Sequence, residues 1–177
     1  MKLTASTQEF ILHWGEMGTR WGTNRTVSQI FALLYLSEKP LSAEVIAETL
    51  SVARSNVSTS LRELESWGVL KTVTMLGDRK EYFTTLDDIW EMFRIILAER
   101  KKREIDPTLA VIRECKIASE EDSKTDAHAA RRFREMDEFF TLAMSWYEQM
   151  NKLSTENVVR AMKAGDKMLS LLGKKRD

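Results

Sequence analysis

Cysteine, histidine and proline are scarce in this sequence of 177 residues, which has one cysteine, two histidines and two prolines. Cys115 cannot form a disulfide within the chain, and one cysteine with two histidines cannot build a zinc site. We therefore expect a cytoplasmic protein that binds neither a metal nor another cofactor. Because proline and glycine disfavour helix interiors, the two prolines and seven glycines favour long helices over a strand-rich sandwich.

Long hydrophobic runs and net charge are also absent. No apolar run approaches the ~20 residues of a membrane span, and the first residues do not open a signal peptide, so we expect no contact with a membrane. The chain has 27 basic and 27 acidic residues, which balance. DNA-binding domains are often basic, so a surface for nucleic acid in this chain would have to be a local patch.

Hydrophobic periodicity predicts several helices in the first half of the chain. Their expected bounds are 8–22, 26–37, a short helix that begins at the N-cap Ser42, and 54–67. Gly15, Gly18 and Gly22 mark close packing or the end of the first helix. Residues 69–75 and 79–85 are rich in β-branched and aromatic side chains and flank a turn at Gly77, which predicts a β-hairpin.

Helical periodicity returns after Asp87. Asp106 and Pro107 are typical of a helix start, with the aspartate as the cap and the proline in the first helical position. Three-four spacing predicts a later helix that packs along its length against another one, through Phe133, Met136, Phe140, Ala143, Tyr147 and Met150.

The order helix, short helix, tight turn, helix and hairpin is that of a winged helix-turn-helix. We expect a mainly α fold with a small β-hairpin wing and with N- and C-terminal dimerisation helices. The predicted regions are an N-terminal packing helix in 1–27, the winged helix-turn-helix in 28–86 and a C-terminal helical dimerisation region in 87–177.

The helix predicted over 54–67 has a polar face without an acidic residue in its first two turns. That face is formed by Arg54, Ser55, Asn56, Ser58, Thr59 and Arg62. Arginine and asparagine can make bidentate contacts with base edges, and serine and threonine suit phosphates, so the face is suited to the major groove. The alternative is an ordinary solvated helix face.

The predicted hairpin carries two cations, Arg79 and Lys80, beside its turn. A wing in this position would reach the minor groove or its phosphates. We expect Asp78 to fold back on a base or on a neighbouring backbone amide and to hold Arg79. The alternative for both cations is a solvated turn.

These segments resemble the MarR (multiple antibiotic resistance) superfamily of winged-helix regulators, and longer stretches resemble its GbsR branch. The stretches are His13–Gly18 (HWGEMG), Trp21–Arg25 (WGTNR), Ser55–Ser58 (SNVS) and Arg103–Leu109 (REIDPTL). The resemblance covers residues 8–115 well. It implies a homodimer on a roughly palindromic operator, with the terminal helices at the dimer interface, the face Arg54–Arg62 in the major groove and Arg79 in the wing.

One position departs from the pattern of the family. Many relatives have serine or threonine where this chain has Ala53, immediately before the recognition helix. Alanine is a poor N-cap and costs about 1 kcal/mol relative to serine. Either Ser51 or the backbone geometry compensates, or the first turn of the recognition helix forms loosely.

The sequence contains five tryptophans. Trp14, Trp21 and Trp90 are candidates for a small-ligand site, because aromatic faces attract quaternary ammonium groups such as those of choline or betaine. The alternative is that they belong to the core and the dimer interface.

We therefore predict a sequence-specific regulator of transcription, a homodimeric repressor that binds double-stranded operator DNA and responds to a small effector. The alternative is a winged-helix module that binds another protein. An enzyme is not expected, since neither His13 nor His128 has a nucleophile or carboxylate arranged around it in the sequence.

Overall fold

A computed structural model describes residues 2–122 and 126–172 of the chain. They fall into two compact units, which divide between Glu99 and Arg100. The fold is mostly helical with one small antiparallel sheet, as predicted. No helix within the described ranges is both long and apolar enough to cross a membrane.

The first unit contains the helix-turn-helix and the wing. Its elements are α1 (Ala5–Arg20), α2 (Arg25–Tyr35), β1 (Leu41–Ser42), α3 (Ala43–Leu50), α4 (Arg54–Ser66), β2 (Leu70–Thr74), β3 (Glu81–Thr85) and α5 (Ile89–Arg100). Side-chain caps define three of the helix starts. The Oδ1 atom of Asn24 accepts from the amide of Thr26 at 2.8 Å, and the predicted cap Ser42 accepts from the amide of Val45 at 3.4 Å.

The core of this unit lies between α2 and α4. Ile30, Leu33 and Leu34 of α2 are almost completely buried, and Val57 and Leu64 of α4 are buried with them. The inner face of α3 packs against the same cluster. Because one side of α4 is used in this way, its polar side faces outward.

Two glycines allow α1 to lie close to α2. A Cβ atom added at Gly18 would lie 2.6 Å from the Cβ of Ser28, and one added at Gly15 would lie 2.6 Å from the Cγ of Gln29. These glycines therefore mark close packing. Gly22 has φ +76 and follows the end of α1, where a left-handed residue is suited to glycine.

The sheet has the strand order β1-β3-β2, with both neighbours antiparallel. The predicted hairpin is present, with Thr74 opposite Glu81 at the end next to the turn. Strand β1 was not predicted. It consists of two residues, too few to show the alternation that indicates a strand, and it forms only because Leu41 finds Phe83 as its partner across the sheet.

The second unit contains α6 (Asp106–Glu121), α7 (Ala127–Asn151) and α8 (Thr155–Leu172). Helix α6 begins at Asp106 and has Pro107 in its first turn, as predicted, but the prediction that Asp106 caps the helix is wrong. The chain remains helical through a π-helical segment, Lys101–Ile105, and Asp106 accepts from the Nζ atom of Lys101 at 2.6 Å instead of capping α6. A wider π turn lies just before Pro107, whose ring would clash with the carbonyl four residues earlier in a regular helix.

Helix α7 packs against α6. In the predicted stripe, Phe133, Phe140, Ala143, Tyr147 and Met150 are half-buried, whereas Met136 is 43% exposed. Asp137 adds a polar link, because it accepts from Lys116 of α6 at 2.8 Å and from Arg113 at 3.4 Å. The hydrogen bond from Lys116 lowers the pKa of the Asp137 carboxyl below its ordinary value.

Candidate nucleic-acid interface

Helix α4 begins without a side-chain cap, because the residue before it is Ala53. Ser51 does not take that role. It is the C-cap of α3 in the left-handed conformation, with φ 53 and ψ 43. The carbonyl of Ala53 accepts from the amide of Val57 at 3.1 Å. The backbone geometry therefore starts α4 as a regular helix at Arg54.

The first residue of α4 forms an ion pair that the sequence analysis missed. The Nη2 atom of Arg54 lies 2.6 Å from the Oε1 atom of Glu44, in the first turn of α3. The pKa of Glu44 is lowered, first by a hydrogen bond to its own backbone amide, then by the Ser42 hydroxyl, with smaller contributions from Arg54 and Lys80. The missed signal is an acidic residue early in α3, which the tight turn brings back to the start of α4.

The other predicted residues of α4 face solvent. Ser55, Asn56, Thr59 and Arg62 are exposed, and Ser58 is half-buried. The Nε atom of Arg62 donates to the carbonyl of Ser58 at 3.3 Å, one turn earlier. Val57, Ser60 and Leu61 are buried on the opposite side. Helix α4 thus presents one uninterrupted polar face that has no carboxylate before Glu63.

The turn of the wing is held together by Asp78. Its carboxylate accepts from the amide of Lys80 at 2.9 Å and from the hydroxyl of Tyr82 at 2.7 Å. Its own amide donates to the carbonyl of Met75 at 3.1 Å. The hydrogen bond from Tyr82 lowers the pKa of Asp78 and raises the pKa of Tyr82. The expected bond to a backbone amide is present, and it shapes the turn beside Arg79.

A groove of about 480 Å³ separates α4 from the wing. Five of the predicted residues line it, namely Arg54, Ser58, Arg62, Arg79 and Lys80. The tertiary structure thus brings cations from two distant segments of the sequence to one surface. Ser55, Asn56 and Thr59 do not line this groove and lie on the exposed part of α4 beside it.

Acidic residues also lie at the groove, which limits its positive charge. Glu44, Glu65 and Glu81 are among its lining residues. The Oε1 atom of Glu65 accepts from the hydroxyl of Thr72 at 2.5 Å, and this bond joins the end of α4 to strand β2. Glu65 therefore links the recognition helix to the wing, a contact that the sequence analysis did not foresee.

The candidate tryptophans do not form one cluster. Trp14 stacks on Phe10 at 5.4 Å between ring centroids and meets Trp21 edge-on at 6.2 Å. Trp90 is half-buried at the start of α5, where its amide donates to Asp88 at 2.8 Å. Within the described ranges, no group of histidine, cysteine, aspartate and glutamate side chains is arranged to hold a metal ion.

Comparison with known proteins agrees with this architecture. A model of the MarR family matches residues 21–81. A relative is the HTH-type transcriptional repressor GbsR of Bacillus subtilis, which is 23% identical over 116 residues. That match covers 60% of this chain and 64% of the repressor, so the chain spans less than two thirds of the length of this relative.

Two solved structures are similar to this chain, and the first of them shows the fold. The first, a transcriptional regulator, has a TM-score of 0.50 and is 20% identical, and the match covers 81% of this chain and 99% of the regulator's chain. The second is the ST1889 protein of the thermoacidophilic archaeon Sulfolobus tokodaii, with a TM-score of 0.42 and 22% identity. That match covers 52% of this chain and 91% of the ST1889 chain.

Regulators of this family are not enzymes, in agreement with the sequence analysis. The family match covers residues 21–27 of the N-terminal region and nearly all of the helix-turn-helix and wing. With the winged-helix geometry and the similarity to GbsR, the match shows that residues 21–81 are similar to the MarR family of winged-helix transcription regulators.

Proposed function

We propose that this chain is a homodimeric transcription repressor that reads operator DNA with the exposed face of α4 and with the wing. The observation that carries the proposal is the convergence of Arg54, Arg62, Arg79 and Lys80 on one groove, next to an α4 face without carboxylates. Asn56 and Arg62 are the candidates for base contacts, because both can bond to a base edge in a bidentate way.

The chemistry of the surface supports sequence reading as well as attraction to phosphates. Ser55, Ser58 and Thr59 are short hydroxyl donors that suit phosphate oxygens, and they stand on the same helix as Asn56 and Arg62. The acidic residues at the groove keep the patch small. We therefore expect binding to depend on two copies of the surface held at a set spacing, as in other dimeric helix-turn-helix proteins.

Helix α7 supports the proposal of a dimer. One of its apolar stripes packs on α6, but a second stripe lies open in the protomer and consists of Met136, Phe139, Leu142 and Trp146, each 43–74% exposed. Exposed apolar patches of this kind mark interaction sites. We assign residues 28–86 to DNA reading, and we assign 1–27 and 87–177 to packing and dimerisation.

A small effector would relieve repression under this proposal. Trp21 is 47% exposed and its ring meets Trp14, so this pair offers an aromatic surface for a quaternary ammonium such as choline or betaine. Trp90 would be a third, separate contact. Titrating choline or betaine into the protein–operator complex tests this part, and an unchanged affinity for the operator would remove both ligands from consideration.

The main alternative is a protein-binding winged helix. It differs in its response to salt, because a protein that neutralises several phosphates loses affinity for DNA steeply as the salt concentration rises. A salt-insensitive or undetectable interaction with DNA would favour the alternative.

The decisive experiment selects bound fragments from genomic DNA and compares variants on the selected site. Asn56→Ala and Arg62→Ala should each relax the base preference at one position and cost about 1–3 kcal/mol, or about 5- to 150-fold in affinity. Arg134→Ala is the matched control, because it removes an exposed arginine from α7. Unchanged affinity and specificity in both α4 variants would refute the assignment of α4 to the groove.

A further inference from the structure

The tip of the wing carries apolar side chains. Leu76 has a relative exposure of 108%, so its side chain makes almost no contact within the protein, and the neighbouring Met75 is 42% exposed. No other large hydrophobic residue in the described part of the chain is so exposed. A leucine held away from every packing surface gives up the burial that normally stabilises it.

The turn that carries Leu76 is closed by several hydrogen bonds. Gly77 has φ +83, a backbone conformation in which a side chain would be strained. Asp78 then bonds back to Met75, to Lys80 and to Tyr82. These bonds constrain the backbone of the turn before any partner arrives, which lowers the entropic cost of inserting the Leu76 side chain.

The cations beside the tip determine which partner fits. Arg79 and Lys80 are exposed, and within the described ranges neither side chain forms a hydrogen bond or an ion pair. The carboxylate of Asp78 is engaged inside the turn by Tyr82 and by the backbone. An apolar tip with two available cations at its base complements a groove with phosphates along its edges and stacked bases at its floor.

We infer that Leu76 is an apolar wedge that enters the minor groove of DNA and partly unstacks one base step in each half-site, while Arg79 and Lys80 contact the phosphates on either side. Leucine and methionine side chains serve as such wedges in DNA-bending proteins. The wedge favours sequences that unstack easily, such as pyrimidine–purine steps. Leu76 would thus determine sequence preference outside the bases that α4 reads.

This inference rests on the proposed function, and its test uses the full-length protein on the operator obtained by genomic selection. Duplexes carry the fluorescent base 2-aminopurine at successive positions under the wing, and its emission rises when stacking is lost. Leu76→Ser and Leu76→Ala remove the wedge, and Leu76→Met is the matched control that keeps an apolar side chain of similar length. The salt dependence of the affinity is measured for each protein.

The wild type and Leu76→Met should raise the emission at one step per half-site. Leu76→Ser and Leu76→Ala should lose this rise and bind roughly tenfold more weakly, as expected for a leucine that no longer becomes buried. Their salt slope should stay that of the wild type, because no charge has been removed.

Several results overturn the inference. If Leu76→Ser keeps the emission change, or if the wild type never shows one, Leu76 does not open the stack. A loss of affinity without an emission change in the wild type would place Leu76 on the groove surface and not between bases. In each of these cases the α4 variants still test the proposed function, which fails if the wild type shows no salt-dependent, sequence-specific binding or if both α4 variants bind as the wild type does.

Discussion

Replacement of Gly18 by alanine should destabilise the protein, although alanine is the better helix former. The new Cβ would lie 2.6 Å from the Cβ of Ser28 and closer still to its Oγ atom. Carbon atoms in contact lie about 3.5–4.0 Å apart, so α1 and α2 would have to separate by about 1 Å. Rotation of Ser28 cannot relieve the clash, because its Cβ is attached to the backbone of α2 and the residue is buried.

The size of the effect follows from two opposing terms. Overpacking of this kind costs about 1–3 kcal/mol, and the exchange of glycine for alanine inside a helix contributes about 1 kcal/mol in the other direction. We expect Gly18→Ala to lower the free energy of unfolding by up to about 2 kcal/mol. Gly165→Ala in α8 is the matched control, since no atom of the described part of the chain lies within 4 Å of its added Cβ, and it should stabilise the protein by about 1 kcal/mol.

Urea denaturation of the two variants measures the packing term directly, because the helix propensity cancels in their difference. A double variant with Ser28→Gly should recover part of the loss, and a double-mutant cycle gives the coupling between the two positions. Gly15→Ala should cost less than Gly18→Ala, because the atom it meets is the Cγ of Gln29, a flexible side chain. A Gly18→Ala variant as stable as Gly165→Ala, or one that Ser28→Gly leaves unchanged, would refute this view of the α1–α2 contact.

Three further predictions concern the interface and the dimer. Glu44→Gln frees Arg54 and should raise the affinity for DNA and steepen its salt dependence, as measured by fluorescence anisotropy. Because the pKa of Glu44 is lowered, the ion pair in the wild type is complete above the ordinary pKa of a carboxyl group and is lost only as the pH falls through the lowered pKa. Asp78→Asn should return the raised pKa of Tyr82 towards its ordinary value in an alkaline absorbance titration, with identical curves speaking against the hydrogen bond. Leu142→Glu places a charge on the open stripe of α7 and should convert dimers to monomers in light scattering; a dimer that survives would exclude this stripe as the interface.

The local features of the fold could be predicted from the sequence. The spacing of apolar residues identified α2 and α4, the hydroxyl of Ser42 marked the start of α3, and Gly77 marked the turn of the hairpin. Each of these signals depends on residues within about one helical turn or one tight turn. The polar face of α4 belongs to this group as well, since helical geometry alone decides which side chains share a face.

Other features were decided only by the tertiary structure. The ion pair between Arg54 and Glu44, the bond between Glu65 and Thr72 and the two-residue strand β1 join residues that are not local neighbours in the sequence. Such contacts depend on how the packed elements place their side chains relative to one another. The hydrophobic periodicity of the sequence carries no information about that placement.

The start of α6 shows how the context of the whole chain can override a local signal. Asp106 and Pro107 are a typical helix start, yet the helix continues through them because a π-helical segment precedes the proline and Lys101 engages the aspartate. The sequence alone determined the class of fold and the face of α4, because these follow from short-range spacing. The tertiary structure determined which charges remain available at the groove, because that depends on partners brought together by packing.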